Sequence, residues 1–240
     1  MITQAQLQGH WRRDWIKAPG FEDHTTRVHW AQAGALFADL RIPAVRPDLG
    51  GAACLADLDN AALLHLMRAE GFAGEITVAD GICTWHRAIN WHGRPEAVDA
   101  GRMSFDPKGR LVEDGVHAEY RELWHRVPGG PLSARPLRAG ALEGVLVWSD
   151  EMFLFGLGDP AAPPAAPLRA ALEAGARPEG LARHFRSDYA LGRWEGNAGI
   201  AELCTNPLRE GRPVLSRAAD GGLTWLSSGF DGREEPVALA

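Results

Sequence analysis

Lysine is almost missing from this 240-residue chain: Lys17 and Lys108 stand against 23 arginines. The formal net charge is −6. A nucleic-acid or anionic-membrane surface needs clustered positive charge, so neither partner is expected. Alanine, glycine and proline are abundant and, like arginine, have GC-rich codons. The arginine excess therefore reflects a GC-rich genome rather than phosphate recognition. Cysteine is also scarce. Cys54, Cys83 and Cys204 are far apart and odd in number, which excludes a disulfide framework and a CxxC zinc site. Three free thiols fit a reducing compartment. The first residues, Met1 to Gln4, carry no basic region followed by an apolar run, so no secretory signal is expected and a cytoplasmic location is. No stretch approaches the roughly 18 apolar residues of a membrane span.

Several catalytic motifs are missing too. There is no GxSxG elbow, no GxxxxGK[ST] phosphate loop and no HExxH helix. Gly156-Leu157-Gly158-Asp159 lacks the third glycine and the helix start of a dinucleotide fingerprint. Nucleotide-driven and serine-hydrolase chemistry are excluded on this basis, and no cofactor is expected. Hydrophobic residues at 45% and charged residues at 23% lie in the ordinary globular range, so a folded core is expected.

What the chain does have is alternation with period two. Thr26, Val28, Trp30 and Gln32 share one face of an extended segment, and Thr25, Arg27, His29 and Ala31 share the other. Leu36, Ala38, Leu40 and Ile42 continue the pattern after Gly34, until Pro43 stops it. Residues 55–68 differ. There Asp57 or Asp59 can cap a helix with an apolar stripe of Leu63, Leu64, Met67 and Phe72, closed by Gly71. Strands resume at 74–78, 82–91, 101–105, 110–112 and 116–127, with Asp106-Pro107-Lys108-Gly109 as a hairpin turn. A Pro-, Gly- and Arg-rich stretch from Pro128 to Gly140 marks a boundary. Beyond it come strands at 142–148, 152–157, 188–194, 199–204, 212–216 and 223–227. Short helices are expected at 168–173 and 181–185, a proline-rich loop at 160–167, and a frayed end. Many short strands with few helices predict a mainly β fold: two consecutive antiparallel β-barrel domains with one or two short helices. The first spans residues 1–130 and the second, smaller one 140–240.

Tryptophan is plentiful, with nine in all and six before the boundary. Cys83, Trp85, Arg87, Ile89 and Trp91 fall on one strand face, and Tyr120, Glu122 and Trp124 on another. Turned inward, these faces line an aromatic cavity. The expected ligand-binding set is Trp30, Gln32, Trp85, Arg87, Trp91, Glu122 and Trp124. In a dry interior Arg87 needs a partner, either Glu122 or a ligand carboxylate. The plainer alternative is that the tryptophans fill a core and the Arg–Glu pair ties two strands. A one-residue slip would instead turn Thr84, His86, Asn90 and His92 inward. His117-Ala118-Glu119 sets an imidazole beside a carboxylate on a strand, and Glu122, Tyr120 and His117 are the acid–base candidates. No second His-x-His element accompanies them, so solvated histidines are the plainer reading and no metal site is expected. Asp39 and Arg41 read as a rim ion pair worth at most about 1 kcal/mol. Glu113-Asp114-Gly115 reads as a turn.

Gly9-His10-Trp11, entering a β-rich region, resembles the Gly-x-Trp element of calycins such as lipocalins. The resemblance implies a barrel end plugged by Trp11, with a later arginine, Arg121 or Arg126, packed over it. Asp99-x-Gly101, Tyr120-Arg121-Glu122-Leu123-Trp124, Glu143-Gly144-Val145-Leu146-Val147 and Gly222-Leu223-Thr224-Trp225 resemble segments of the fungal HRI-type proteins. That family is named for interaction with a casein kinase. The resemblance implies two consecutive calycin-like barrels and carries over no catalytic residue. The GC-rich composition points to a bacterial chain, away from that kinase partner.

Three functions follow as expectations. The favoured one is binding of a small apolar or carboxylated ligand in an aromatic-lined barrel cavity. The second is a cofactor-free isomerase, cyclase or lyase using a carboxylate or histidine there. The third is an interaction scaffold with a protein partner and an apolar patch near residues 160–167. Ligand identity and oligomeric state stay open.

Overall fold

The computed structural model describes residues 1–95 and 97–240. The first sheet contains β1 (Gly9–Ala18), β2 (Phe21–Asp23), β3 (Arg27–Ala33), β4 (Leu36–Ile42), β5 (Glu70–Ala79), β6 (Ile82–Asn90), β7 (Asp99–Phe105), β8 (Leu111–Gly115) and β9 (Arg121–Arg126). The second contains β10 (Ser133–Ala139), β11 (Leu142–Trp148), β12 (Met152–Gly158), β13 (Asp188–Glu195), β14 (Ala198–Cys204), β15 (Pro213–Arg217), β16 (Leu223–Ser228) and β17 (Glu234–Leu239). Four short helices occur among the described residues: α1 (Gln4–Leu7), α2 (Asn60–Leu66), α3 (Ala166–Glu173) and α4 (Gly180–His184).

Pairing follows chain order and is antiparallel throughout, so each sheet is a meander. β1 pairs with β3 on one side and β9 on the other, which closes a ring of β1 and β3 to β9; β2 extends β1 as a hairpin arm. The ends of the second sheet meet at a single backbone pair. Arg138 and Ala240 exchange both N–H···O=C bonds, at 2.9 and 3.1 Å. The protein is therefore mainly β, with two consecutive antiparallel eight-stranded barrels, the second nearly closed. Among the described residues no helix is long and apolar enough to cross a membrane.

Local chemistry explains most of the elements. Asp106-Pro107-Lys108-Gly109 turns as predicted, with Gly109 N–H donating to Asp106 O at 2.9 Å. Segment 55–68 divides into a 3-10 turn, Leu55–Asp57, and α2, whose first turn is capped by Asp59 accepting from Ala62 N–H at 2.7 Å. Gly71 and Phe72 belong to β5, not to the stripe of that helix.

Several strands depart from the sequence reading, the short β2 among them, which was not expected. β1 is ten residues long where none was expected, because Arg12, Arg13 and Lys17 mask its alternation. β9 begins at Arg121, so His117-Ala118-Glu119 lies in an exposed turn instead of a strand. β10 crosses the stretch read as a boundary, and β17 replaces the expected frayed end. Both hold a proline, Pro136 and Pro236. A proline cannot donate to a ladder and belongs at an edge, and β10 and β17 flank the seam of the second barrel.

β4 is buried on both faces. Phe37, Asp39 and Arg41 turn into the first barrel; Ala38, Leu40 and Ile42 join a core shared with Val145, Val147 and Leu154 of the second. Tyr189 fills the space between Gly71 and Gly156. A Cβ on Gly71 would lie 2.4 Å from that ring, so only glycine permits this approach. Each fully buried apolar side chain contributes about 1.5–3 kcal/mol, and the shared core ties the barrels together. Histidines border it. His10 Nε2 and His29 Nδ1 are 2.9 Å apart, and burial lowers their pKa values to about 4 and about 3. His184 packs on Trp91 with ring centroids 4.4 Å apart, and burial lowers it to about 3.

Candidate functional site

One end of the first barrel is sealed. Trp11 lies inside it and donates its ring N–H to Leu7 O at 2.8 Å. The Arg126 guanidinium covers the Trp11 ring at 4.4 Å and donates to the carbonyls of Gln6, at 2.8 Å, and Gln8. Gly9 makes this possible: its φ is +136°, and a Cβ there would sit 2.2 Å from Arg126 Nη1. Gly9→Ala is expected to lower stability by about 1–3 kcal/mol, the range for a strained backbone, read as a shift in the urea midpoint. An unchanged midpoint would mean that Arg126 does not hold this end.

Above Trp11 is a layer of indoles. Trp30 stacks on Trp11 at 6.3 Å and meets Trp85 and Trp124 edge-on at 5.6 and 6.0 Å. Trp30 and Trp124 are each 1% exposed, and neither ring N–H has an acceptor among the described residues. Gln32 is buried near the sealed end.

Toward the other end, strand register places charge above the indoles. Asp39 lies opposite Trp30, Glu122 is two residues before Trp124, and Glu113 faces Glu122 across β8 and β9. Arg13 donates to Glu122 at 2.6 Å and to Asp23 at 3.3 Å. Arg41 donates to Asp39 at 2.9 Å, and Tyr120 OH to Glu113 Oε1 at 2.7 Å. Arg87 donates to Asp99 Oδ2 through Nε at 3.1 Å and Nη2 at 2.5 Å. The Arg41 and Arg87 guanidiniums both lie over the Phe72 ring, at 4.9 and 3.5 Å. Carboxylates outnumber cations in this layer. Burial, and then Glu122, push Glu113 well above the usual carboxylate range; burial also raises Asp39. Burial and the Glu113 carboxylate together raise the Tyr120 phenol. Glu113 is thus set up to hold a proton, while Glu122 is bound to Arg13. The layer reaches the surface at a cleft of about 320 Å³ lined by Arg87, Asn90 and Arg94 from the first barrel and by Glu143 and Asp159 from the second.

The structure brings Trp30, Trp85 and Trp124 together and sets Arg87 and Glu122 in one charged layer. It does not pair those two: Arg87 meets Asp99, and Glu122 meets Arg13. Trp91 leaves the set. The β5–β6 register shifts between Ala73 and Gly74, opposite Ile89 and Arg87. Ala88 is the extra residue of a bulge, which reverses the faces that follow. Ile89 and Trp91 therefore join the core between the barrels. His117 is exposed in its turn.

Of Asp39 and Arg41, read from sequence as a rim pair, Asp39 is buried and Arg41 half-buried beside it, and Glu113, read as a turn, lies in β8. Their signal was present in the alternation Phe37, Asp39, Arg41, but the apolar run Ala38, Leu40, Ile42 on the opposite face competed with it. Arg13 gave none, because its strand was not seen. Loop 160–167 presents no free apolar patch at Ala165, which is buried with its N–H bonded to His92 O at 3.0 Å.

No protein-family model and no curated protein matches the chain. Among solved structures it is similar to the uncharacterized protein YLR301w from Saccharomyces cerevisiae, at 10% identity over 91% of this chain and 84% of that chain, with a TM-score of 0.48.

Proposed function

We propose that this is a cytoplasmic, calycin-like protein whose first barrel binds a small apolar or carboxylated ligand at its unsealed end. The calycin-like reading, and with it the HRI-type pair of barrels, is supported by Gly9, Trp11 and Arg126. Of the two arginines the resemblance left open, Arg126 covers the indole. The free thiols of Cys54, Cys83 and Cys204 support the reducing compartment.

The binding reading is carried by Arg87. Its Nε and Nη2 converge on one oxygen of Asp99, while Nη1 makes no hydrogen bond among the described residues. The side chain is 16% exposed and borders the 320 Å³ cleft beside Asn90 and Arg94. That volume lies within the ordinary range for small-molecule sites, about 300–1,000 Å³. A ligand carboxylate would take the free edge of Arg87, with Arg94 adding positive charge.

Titration of tryptophan fluorescence with decanoate and with decanol tests this. Decanoate is expected to shift the emission saturably, and Arg87→Ala to weaken decanoate at least tenfold while leaving decanol unchanged. If neither compound moves the emission, or both weaken equally, the reading is wrong.

A further inference from the structure

We infer that the mouth of the second barrel is a separate binding site for a flat apolar molecule bearing one anionic group. The cleft there measures about 430 Å³, and its apolar lining includes Trp225, Phe230, Val237 and Ala182, with Arg186 and Arg233 at the rim. The size suits a two-ring compound.

Trp225 is fixed from below. Its ring N–H donates to Asp188 Oδ2 at 2.8 Å, and Arg209 clamps the same carboxylate oxygen while donating to Leu226 O. Asp188 and Arg209 are 4% and 5% exposed, so the indole sits on a buried ion pair and its orientation is set before any ligand arrives. Phe230 is fixed from the side. Its turn is closed by Gly229 N–H to Arg233 O at 2.8 Å, and its own carbonyl accepts from Ala56 N–H of the first barrel at 2.9 Å. The Phe230 ring also rests on Phe185, with centroids 5.7 Å apart. Two aromatic walls are therefore preorganised.

Two arginines and two carboxylates line the cleft, and their pairing leaves one cation over. Arg233 is engaged by Glu235 at 3.0 Å, and Asp231 Oδ1 accepts from the Arg233 backbone N–H at 3.1 Å. Arg186, just past α4, has no carboxylate within ion-pair distance among the described residues. Trp225, 2% exposed, forms the floor of the cleft, and an aromatic sulfonate or carboxylate lying against Phe230, Val237 and Ala182 above it would bring its anion to Arg186. The site shares none of these residues with the cleft at Arg87.

The probe is 1-anilinonaphthalene-8-sulfonate, titrated into the full chain and followed by its own fluorescence, with N-phenyl-1-naphthylamine as the uncharged control. Saturable binding of the sulfonate is expected. Arg186→Ala should weaken it about tenfold and leave the uncharged probe unchanged. Ala182→Phe, at an exposed position on α4, fills the cleft without touching the core and should abolish binding of both probes. Arg87→Ala should have no effect, which separates this site from the first barrel. Absence of saturable binding, or binding unaltered by both Arg186→Ala and Ala182→Phe, would overturn the inference.

Discussion

Arg13→Ala is expected to lower the unfolding free energy by about 3–5 kcal/mol, the cost of removing one partner from a buried ion pair. Arg13 and Glu122 have 6% and 3% of their side chains exposed and lie 2.6 Å apart. Without the guanidinium, Glu122 is a buried anion opposite Glu113 and in the same layer as Asp39, with no cation of its own. Asp23 loses the same partner. Urea unfolding at neutral pH gives the measurement, and the double variant Arg13→Ala/Glu122→Gln should recover much of the loss, because it removes the stranded charge. A single variant within about 1 kcal/mol of the parent would show that water or another cation reaches this layer.

The second large effect depends on pH. The fold holds His10, His29 and His184 neutral, with pKa values lowered from 6.5 to about 4, about 3 and about 3. Their neutral forms are favoured when folded, so the unfolded chain binds more protons as pH falls through 6.5. Stability drops from there until the folded-state pKa is reached. A fall from 6.5 to about 4 or about 3 at one such site accounts for about 3–5 kcal/mol. His10 and His29 share a hydrogen bond, so their contributions do not simply add. Glu113 and Asp39 work in the opposite direction, since protonation favours their buried forms. The clean comparison is therefore between the parent and His184→Gln, unfolded in urea at pH 7 and pH 4.5. The parent should lose about 2–3 kcal/mol more than the variant over that interval. Equal losses would place the His184 ring in contact with solvent.

Much of the architecture was legible in the sequence. The period-two alternation, the Asp-Pro-Lys-Gly turn and the confinement of helical signals to short segments led directly to two antiparallel barrels. The strands that escaped notice did so for identifiable reasons. β1 sends Arg13 inward, where ion pairing replaces apolar burial, and pattern-matching scores such a strand as loop. β10 and β17 carry prolines because they flank a seam joined at one residue pair.

The candidate site was legible in part. Trp30, Trp85 and Trp124 converge as their alternation implies, but Trp91 required knowledge of the bulge at Ala88. A glycine inside a strand, here Gly74, was the one hint of it. Arg87 and Glu122 lie in one charged layer, and of the two partners expected for Arg87, Glu122 or a ligand carboxylate, the first is not its neighbour. Sequence alone does not carry the stagger between strands, which decides that Asp99 and Arg13 are their partners.

Because β4 gives one set of side chains to each barrel, neither half can be borrowed as a module. A gene fragment ending after β9 would encode a closed ring wearing Leu40, Ile42 and Trp91 on its outside, a surface that invites self-association. Fusion, duplication or domain exchange at this junction would have to remake both sides together, so the two rings are constrained to be inherited as a unit.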